Sequence, residues 1–167
     1  MSFAIYELEA GGGRLAVAPM PGRSGTYSAD VARLLAWDPA LVLTMTTAEE
    51  LERAGASGLP DDLAACGVAW RHLPIPDFGT PPDAVRAAWP AVADDARAIL
   101  QTGGRVLAHC WGGQGRSGMA VLRLMVEGDE VPDHALARLR DVRPGAVETS
   151  AQLAWPAQPG IDGRHGD

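Results

Sequence analysis

A cysteine, an arginine and a serine are separated only by glycines, a glutamine and a tryptophan in the run His109-Cys110-Trp111-Gly112-Gly113-Gln114-Gly115-Arg116-Ser117-Gly118. The apolar stretch Val106-Leu107-Ala108 before it reads as a buried strand, and the apolar pattern after it as a helix. A strand, a glycine-rich turn and a helix N-terminus together make an anion site. Glycines let the backbone curl until successive N–H groups point inward, and the helix dipole adds partial positive charge. A free thiol has a pKa of roughly 8.5, so little of it is thiolate at neutral pH. Cys110 sits where inward N–H groups, a helix N-terminus and Arg116 all favour negative charge. The same ring fits a phosphate dianion. Arg116 can hold two phosphate oxygens with its planar fork. Backbone N–H groups of Trp111, Gly112, Gly113, Gln114, Gly115 and Arg116 can take the others. Phosphorus then lies over the sulfur, placed for nucleophilic attack.

A phosphomonoester also needs a proton for its leaving oxygen. Leu73-Pro74-Ile75-Pro76-Asp77-Phe78-Gly79-Thr80-Pro81-Pro82 is a proline-rich loop leaving a strand, with one carboxylate at its centre. Asp77 can serve there as general acid and then as base toward water. Ser117 can donate to the sulfur as it leaves a phosphocysteine, or cap the helix, or both. His109 can support the loop from behind. Trp111 is expected to point away from the phosphate, toward the protein or the rim of the pocket.

The pattern His-Cys-x-x-Gly-x-x-Arg-Ser resembles the phosphate-binding loop of the cysteine-dependent tyrosine and dual-specificity protein phosphatases. The form HCWGGQGRS is most similar to the cyclin-dependent kinase-associated phosphatases and their bacterial relatives. It is not the nucleotide-binding loop, because no Gly-Lys-Ser/Thr follows. The resemblance implies a general-acid aspartate in a mobile loop at the position of Asp77. It implies that His109 tunes the thiolate rather than acting as a base. It also matches Arg143-Pro144-Gly145 and Gln152 to a segment in which an arginine braces the domain and a glutamine can border the site. Read as a residue on an exposed helix, Gln152 would instead do nothing. No metal and no organic cofactor is implied. Related phosphoinositide phosphatases tend to carry lysines inside the loop, and this loop has none. The expected substrate is therefore a phosphoprotein, phosphotyrosine first and phosphoserine or phosphothreonine as well, with a small phosphate ester as the alternative. A phosphoprotein-binding module with little turnover is the non-enzymatic alternative. A sulfurtransferase or an arsenate reductase is disfavoured, since the first needs no aspartate loop and the second needs further redox cysteines.

These residues must be held by a scaffold. Phe3–Leu8 and Arg14–Ala18 read as strands joined at Gly11-Gly12-Gly13, and Leu41–Met45, Val68–Leu73 and Val106–His109 as three more. Helices are expected from a cap at Ser28 or Asp30 to Leu35, from Thr46 or Thr47 through Leu51, and from Pro60 to Gly67. Others are expected from Pro82 to Gln101 with a kink at Pro90 and a cap at Asp83, from Gly118 to Glu127, and from Asp133 to Arg143. Strands alternating with helices predict a single α/β domain over 1–155, with a mostly parallel sheet and helices on both faces. Ligands then bind at the carboxyl ends of the strands, where the His109 loop begins. The segment 156–167 is expected to be a frayed tail.

Composition narrows the function further. The chain has 167 residues and a net charge of −7, which disfavours a nucleic-acid surface and an anionic membrane. No apolar run is long enough to span a bilayer, and Met1–Glu7 has no basic, apolar leader pattern. All 14 basic residues are arginine, which reads as codon bias rather than function. Two cysteines make no disulfide framework, and a reactive thiolate suits the cytoplasm. Cys66 is expected to be a buried core residue rather than a redox partner of Cys110. Trp37, Trp70, Trp89 and Trp155 are expected in the core or at its edge.

Overall fold

Alternation within the strands decides the layers. In Leu15-Ala16-Val17-Ala18, Leu15 and Val17 pack into one apolar cluster, and Ala16 and Ala18 into a second on the opposite face. Leu41 and Leu43 join the first cluster and Val42 the second; Val106 and Ala108 likewise oppose Leu107. A sheet that is apolar on both faces needs helices on both. The computed structural model, which describes residues 3–157, has that arrangement.

Its strands are β1 (Tyr6–Ala10), β2 (Gly13–Ala18), β3 (Leu41–Thr44), β4 (Ala69–His72) and β5 (Arg105–His109). They lie in the order β1-β2-β5-β3-β4, antiparallel between β1 and β2 and parallel elsewhere. Helices α1 (Tyr27–Ala36), α2 (Ala48–Arg53) and α3 (Leu59–Ala65) cover one face. Helices α4 (Asp83–Gln101), α5 (Gly115–Glu127), α6 (Pro132–Val142) and α7 (Ser150–Ala157) cover the other. The α/β architecture with a mostly parallel sheet is as expected.

Several boundaries differ, each for a local reason. Strand β1 starts later than Phe3 and continues to Ala10, because Gly11 and Gly12, with φ of 59° and 96°, form a two-residue hairpin turn that pairs Ala10 with Gly13. Helix α1 is capped at Thr26, while Asp30 is buried and accepts from the Gly22 N–H at 2.8 Å. Helix α4 begins at Asp83 itself, with Pro82 in the cap position, and runs as one helix across Pro90. Helix α5 starts three residues before Gly118, so Arg116 and Ser117 lie in its first turn. Helix α7 includes Pro156 and Ala157, so the expected tail is helical at its start; residues 158–167 lie outside the described residues. Trp89 and Trp155 are core residues, edge to face at 4.9 Å, whereas Trp37 and Trp70 are half-buried. Buried Arg123 of α5 fastens α7. Its guanidinium lies 4.6 Å from the Trp155 ring centroid and donates to the Trp155 carbonyl at 2.8 Å. Among the described residues no helix is long and apolar enough to cross a membrane.

Cys66 is not in the core. It is exposed at the C-terminus of α3, just before the amino end of β4. Cys110 follows the carboxyl end of β5, which runs parallel to β3 and through it to β4. The two sulfurs therefore belong to opposite ends of the sheet and are not placed to form a disulfide.

Candidate active site

Strand β5 is the central strand, paired with β2 on one side and β3 on the other, and it delivers His109 and Cys110 to the carboxyl edge of the sheet. The loop that follows is shaped by what holds its carbonyls. The Trp111 carbonyl accepts from the Met20 N–H at 3.1 Å and from Arg23 Nη1 at 3.0 Å. The Gly112 and Gly113 carbonyls accept from Arg143 Nη2 and Nε at 3.0 and 3.1 Å. The Gln114 carbonyl accepts from the N–H groups of Val147 and Gly118 at 3.0 and 3.1 Å. In a trans peptide the N–H points opposite to the carbonyl. Four carbonyls drawn outward thus turn the N–H groups of Gly112, Gly113, Gln114 and Gly115 inward. The Gly113 N–H donates to Cys110 Sγ at 3.2 Å. Glycine is required at this point: φ is 73°, and a Cβ would lie 2.7 Å from the backbone of Ala18 and Pro19.

Ser117 Oγ lies 3.2 Å from the same sulfur, on the first turn of α5. Cys110 is buried, with 2% of its surface exposed. Arg116 is buried to the same degree and is clamped by a carboxylate that the sequence did not flag. Glu50 accepts from Nη1 and Nη2 of Arg116 at 2.7 and 2.8 Å, and the Ile75 carbonyl takes a second Nη1 proton at 2.8 Å. One guanidinium edge is thereby fixed; Nη2 also has Asp77 beside it, and the Nε–H is the donor left without a partner among the described residues. Glu50 belongs to α2, which follows β3, the neighbour of β5. Its place at the carboxyl edge follows from parallel connectivity. The usable signal was the capping box Thr47-x-x-Glu50, which the structure contains in full.

Electrostatics in this cluster are mutual. Burial alone would raise the Glu50 carboxyl, but hydrogen bonds from Arg116 and the Thr47 N–H, with the Arg116 charge, hold it below its ordinary range. Burial alone would lower Arg116, and the Glu50 carboxylate, Cys110 and Asp77 outweigh it, so its pKa is raised. Asp77 is half-exposed, and its Oδ1 stands 3.2 Å from Arg116 Nη2. Its own loop turns sharply: Phe78 has φ of 58°, and its N–H donates back to Asp77 Oδ1 at 3.0 Å.

His109 is fully buried, and burial pushes its pKa down to about 4. Its Nδ1 faces the Cys110 carbonyl at 3.4 Å, and its Nε2 lies 2.7 Å from Thr44 Oγ1. A carbonyl only accepts, so in the neutral ring Nδ1 carries the proton and Nε2 accepts from Thr44. Thr44 in turn accepts from Trp70 Nε1 at 2.7 Å. The ring supports the loop and has no free nitrogen to act as a base. A pH consequence follows. Between pH 6.5 and 4 the unfolded chain takes up a proton at His109 and the folded chain does not. Stability is therefore full above 6.5 and falls as pH drops toward 4, by about 3 kcal/mol at most. Urea unfolding from pH 7.5 to 4.5 should show this slope, and His109→Gln should flatten it; an unchanged slope would refute the assignment.

Gln152 is fully buried, not exposed. Its Nε2 donates to the Gly79 carbonyl at 3.1 Å, and its Oε1 accepts from the Glu148 N–H at 3.1 Å. It ties the aspartate loop to α7. The sequence suggested helix here but not its buried face, because α7 packs on α5 through Trp155 and leaves little periodic pattern to read. Trp111 points to the rim, as expected, where the guanidinium groups of Arg23 and Arg53 lie 5.9 and 5.3 Å from its ring centroid. Arg23, Asp77, Phe78, Trp111, Gly112 and Gln114 line an open cleft of about 220 Å³ beside the loop, with Arg143 and Glu148. Among the described residues no cluster of acidic, histidine and cysteine side chains is placed to hold a metal ion.

Comparison with known proteins agrees with this geometry. Residues 28–136 match the model of the family described as cyclin-dependent kinase inhibitor 3. The mouse protein of that name is 34% identical over 116 residues, 68% of this chain and 54% of the relative. The human one is 32% identical over 117 residues, with the same coverage. The chain thus spans about half the length of the curated relatives it matches. A crystal structure of kinase associated phosphatase, its catalytic-site cysteine substituted by serine, superposes with a TM-score of 0.80 at 25% identity, covering 93% of both chains. The active form of Tk-PTP gives 0.67 at 29% identity, over 89% of this chain and 92% of that one. The match to the family model extends from α1 into α6 and includes the whole loop from Cys110 to Arg116, and on that evidence the chain belongs to the cyclin-dependent kinase inhibitor 3 family.

Proposed function

We propose that this chain is a cysteine-dependent phosphatase that hydrolyses phosphomonoesters of proteins, phosphotyrosine first and phosphoserine and phosphothreonine as well. The observation that carries the reading is the set of donors converging on one buried sulfur, the Gly113 N–H and Ser117 Oγ each at 3.2 Å, beside the Nε–Nη2 edge of Arg116. The related proteins are named as a kinase inhibitor and a kinase associated phosphatase. Those names describe those proteins; they support a phosphoprotein rather than a small ester as the substrate class here.

In the proposed sequence Cys110 Sγ attacks phosphorus in line, and the phosphorus–oxygen bond to the leaving group breaks. Asp77 gives its proton to the departing oxygen. The loop N–H groups and Arg116 hold the equatorial oxygens as charge spreads over them. Asp77, now a carboxylate, takes a proton from a water that attacks the phosphocysteine. The phosphorus–sulfur bond breaks, and Ser117 donates to the leaving sulfur. Arg143 and Gln152 keep the loop and the aspartate segment in place. The chemistry uses no metal or organic cofactor, and a thiolate of this kind suits the reducing cytoplasm.

The test is hydrolysis of para-nitrophenyl phosphate in EDTA, with phosphopeptides as the second substrate. Wild type should turn over and should gain one phosphoryl group on Cys110 when quenched in acid. Asp77→Asn should lose about a hundredfold in turnover, and its pH profile should lose the limb that reports a protonated acid. Binding of phosphate without turnover in the wild type would sink the enzyme reading in favour of a binding module.

A further inference from the structure

The rim of the cleft carries cations that the chemistry above does not use. Arg53, at the end of α2, is exposed, and its guanidinium stands 5.3 Å from the Trp111 ring centroid. Among the described residues it is in no ion pair, although Glu49 and Glu52 share its helix. Arg23 is half-buried beside the same ring, and the only hydrogen bond of its guanidinium among the described residues runs to the Trp111 carbonyl. Its Nη1 lies 3.7 Å from where a Cβ on Gly112 would be. Asp30 is near Arg23 in a small hollow, but that carboxylate is taken by the Gly22 N–H and Thr26 Oγ1. Arg14, Arg71, Arg97, Arg123 and Arg138 face carboxylates, and Arg33, Arg105, Arg140 and Arg143 donate to backbone carbonyls away from the Trp111 ring. In a chain of net charge −7, and in a cleft also lined by Asp77 and Glu148, two guanidinium groups without a carboxylate partner of their own meet at one aromatic ring.

We propose that Arg23 and Arg53, spaced by Trp111, form a second anion subsite that selects phosphopeptides carrying a carboxylate or a second phosphate close to the phosphoresidue. This rests on the phosphatase reading above and specifies its substrate class. Arg23 lines the cleft with Asp77, so an anion held there belongs to the same bound chain as the phosphate over Cys110. Cation–π contact with Trp111 holds both guanidinium groups against one ring, which lowers the cost of ordering two long side chains. Both cations are partly solvated, so each contact adds modestly and is screened by salt.

The test compares three peptides with a central phosphotyrosine, or phosphothreonine, that differ only in neighbours: glutamine, glutamate or phosphoserine within two positions. For wild type, kcat/KM should rise about five- to tenfold from glutamine to glutamate, chiefly through KM, and further with phosphoserine. Half-molar salt should erase the difference. In Arg53→Glu, a surface change that leaves the core intact, the order should invert, while the ratio in Arg53→Ala should fall toward one. An equal preference in wild type and Arg53→Glu, or none in wild type, overturns the subsite. Fluorescence titration of the same peptides with Cys110→Ser gives a readout independent of turnover. Selective binding without hydrolysis would keep the subsite and reject the enzyme reading. Turnover without selectivity would do the reverse. A preference for phosphoserine but not glutamate assigns the subsite to phosphate alone.

Discussion

Cys110→Ser should lose turnover by on the order of 10⁴-fold or more while still binding phosphate. The reason lies in what surrounds the sulfur. Its partners are a backbone N–H and a hydroxyl, both of which stabilise an anion. Neither removes a proton from an alcohol. The nearest ring, His109, is held by Thr44 and the Cys110 carbonyl and cannot serve as base. A serine hydroxyl stays neutral and is a far poorer nucleophile than sulfur. The anion-binding groups are mostly backbone and Arg116, and the substitution leaves them in place. Steady-state hydrolysis, paired with calorimetric titration of phosphate or vanadate, checks both halves. Turnover within tenfold of wild type would show that the sulfur is not the nucleophile. Lost phosphate binding would show that the loop depends on the thiol for its shape.

Glu50→Ala should damage activity and stability together. Arg116 is buried, and Glu50 takes two of its protons at 2.7 and 2.8 Å. Removing one member of a buried pair leaves the other charge uncompensated, at about 3–5 kcal/mol. The Glu50 half of the capping box is lost as well, while Thr47 Oγ1 keeps its bond from the residue-50 N–H. With only the Ile75 carbonyl and the half-exposed Asp77 carboxylate left, the guanidinium loses its bidentate clamp and can rotate away from the phosphate. A fall in kcat/KM of roughly 10²–10³ is expected, the size seen when one preorganised donor is lost. Thr47→Ala separates the two roles: it weakens the cap and should cost stability with little effect on kcat/KM. Urea melts and kinetics on both variants are the measurement. A destabilised Glu50→Ala enzyme with normal kcat/KM would reduce Glu50 to a structural residue.

The chemistry of this chain was legible where it is contiguous. Cys110, Arg116 and Ser117 share one loop and one helical turn, so their types and spacing carried the site. Asp77 was legible because its proline-rich loop leaves an identifiable strand. What the sequence concealed lies across the sheet. Glu50 and Arg116 are 66 positions apart, and the only local mark on Glu50 is a capping box that explains it without any site. Arg23 looks like a loop arginine until the Trp111 carbonyl is seen to need a donor. The burial of Gln152 was hidden because α7 is short and packs on α5 without a clear pattern of its own, so the exposed-helix alternative stayed open beside the bordering one. Cys66 was misjudged because apolar flanks do not report that a helix ends there, at the surface. The parallel order of strands, by contrast, followed from the alternation of elements, and it places Cys110, Arg116, Asp77 and Glu50 on the same edge.

The proposed nucleophile, Cys110, and the proposed acid, Asp77, are mounted on strands of unequal standing. Strand β5 is hydrogen-bonded on both sides, whereas β4, which leads to Asp77, is an edge strand held by β3 alone. Amide protons of β5 should outlast those of β4 in deuterated solvent, since the first need global opening and the second only local release. Past β4 the aspartate segment is moored again at Gly79 by Gln152. The proposed nucleophile is thus fixed to the doubly paired strand, and the proposed acid lies on a span moored at Ile75 and again at Gly79. In the proposed cycle the sulfur is the fixed reference and the aspartate span is the part adjusted against it.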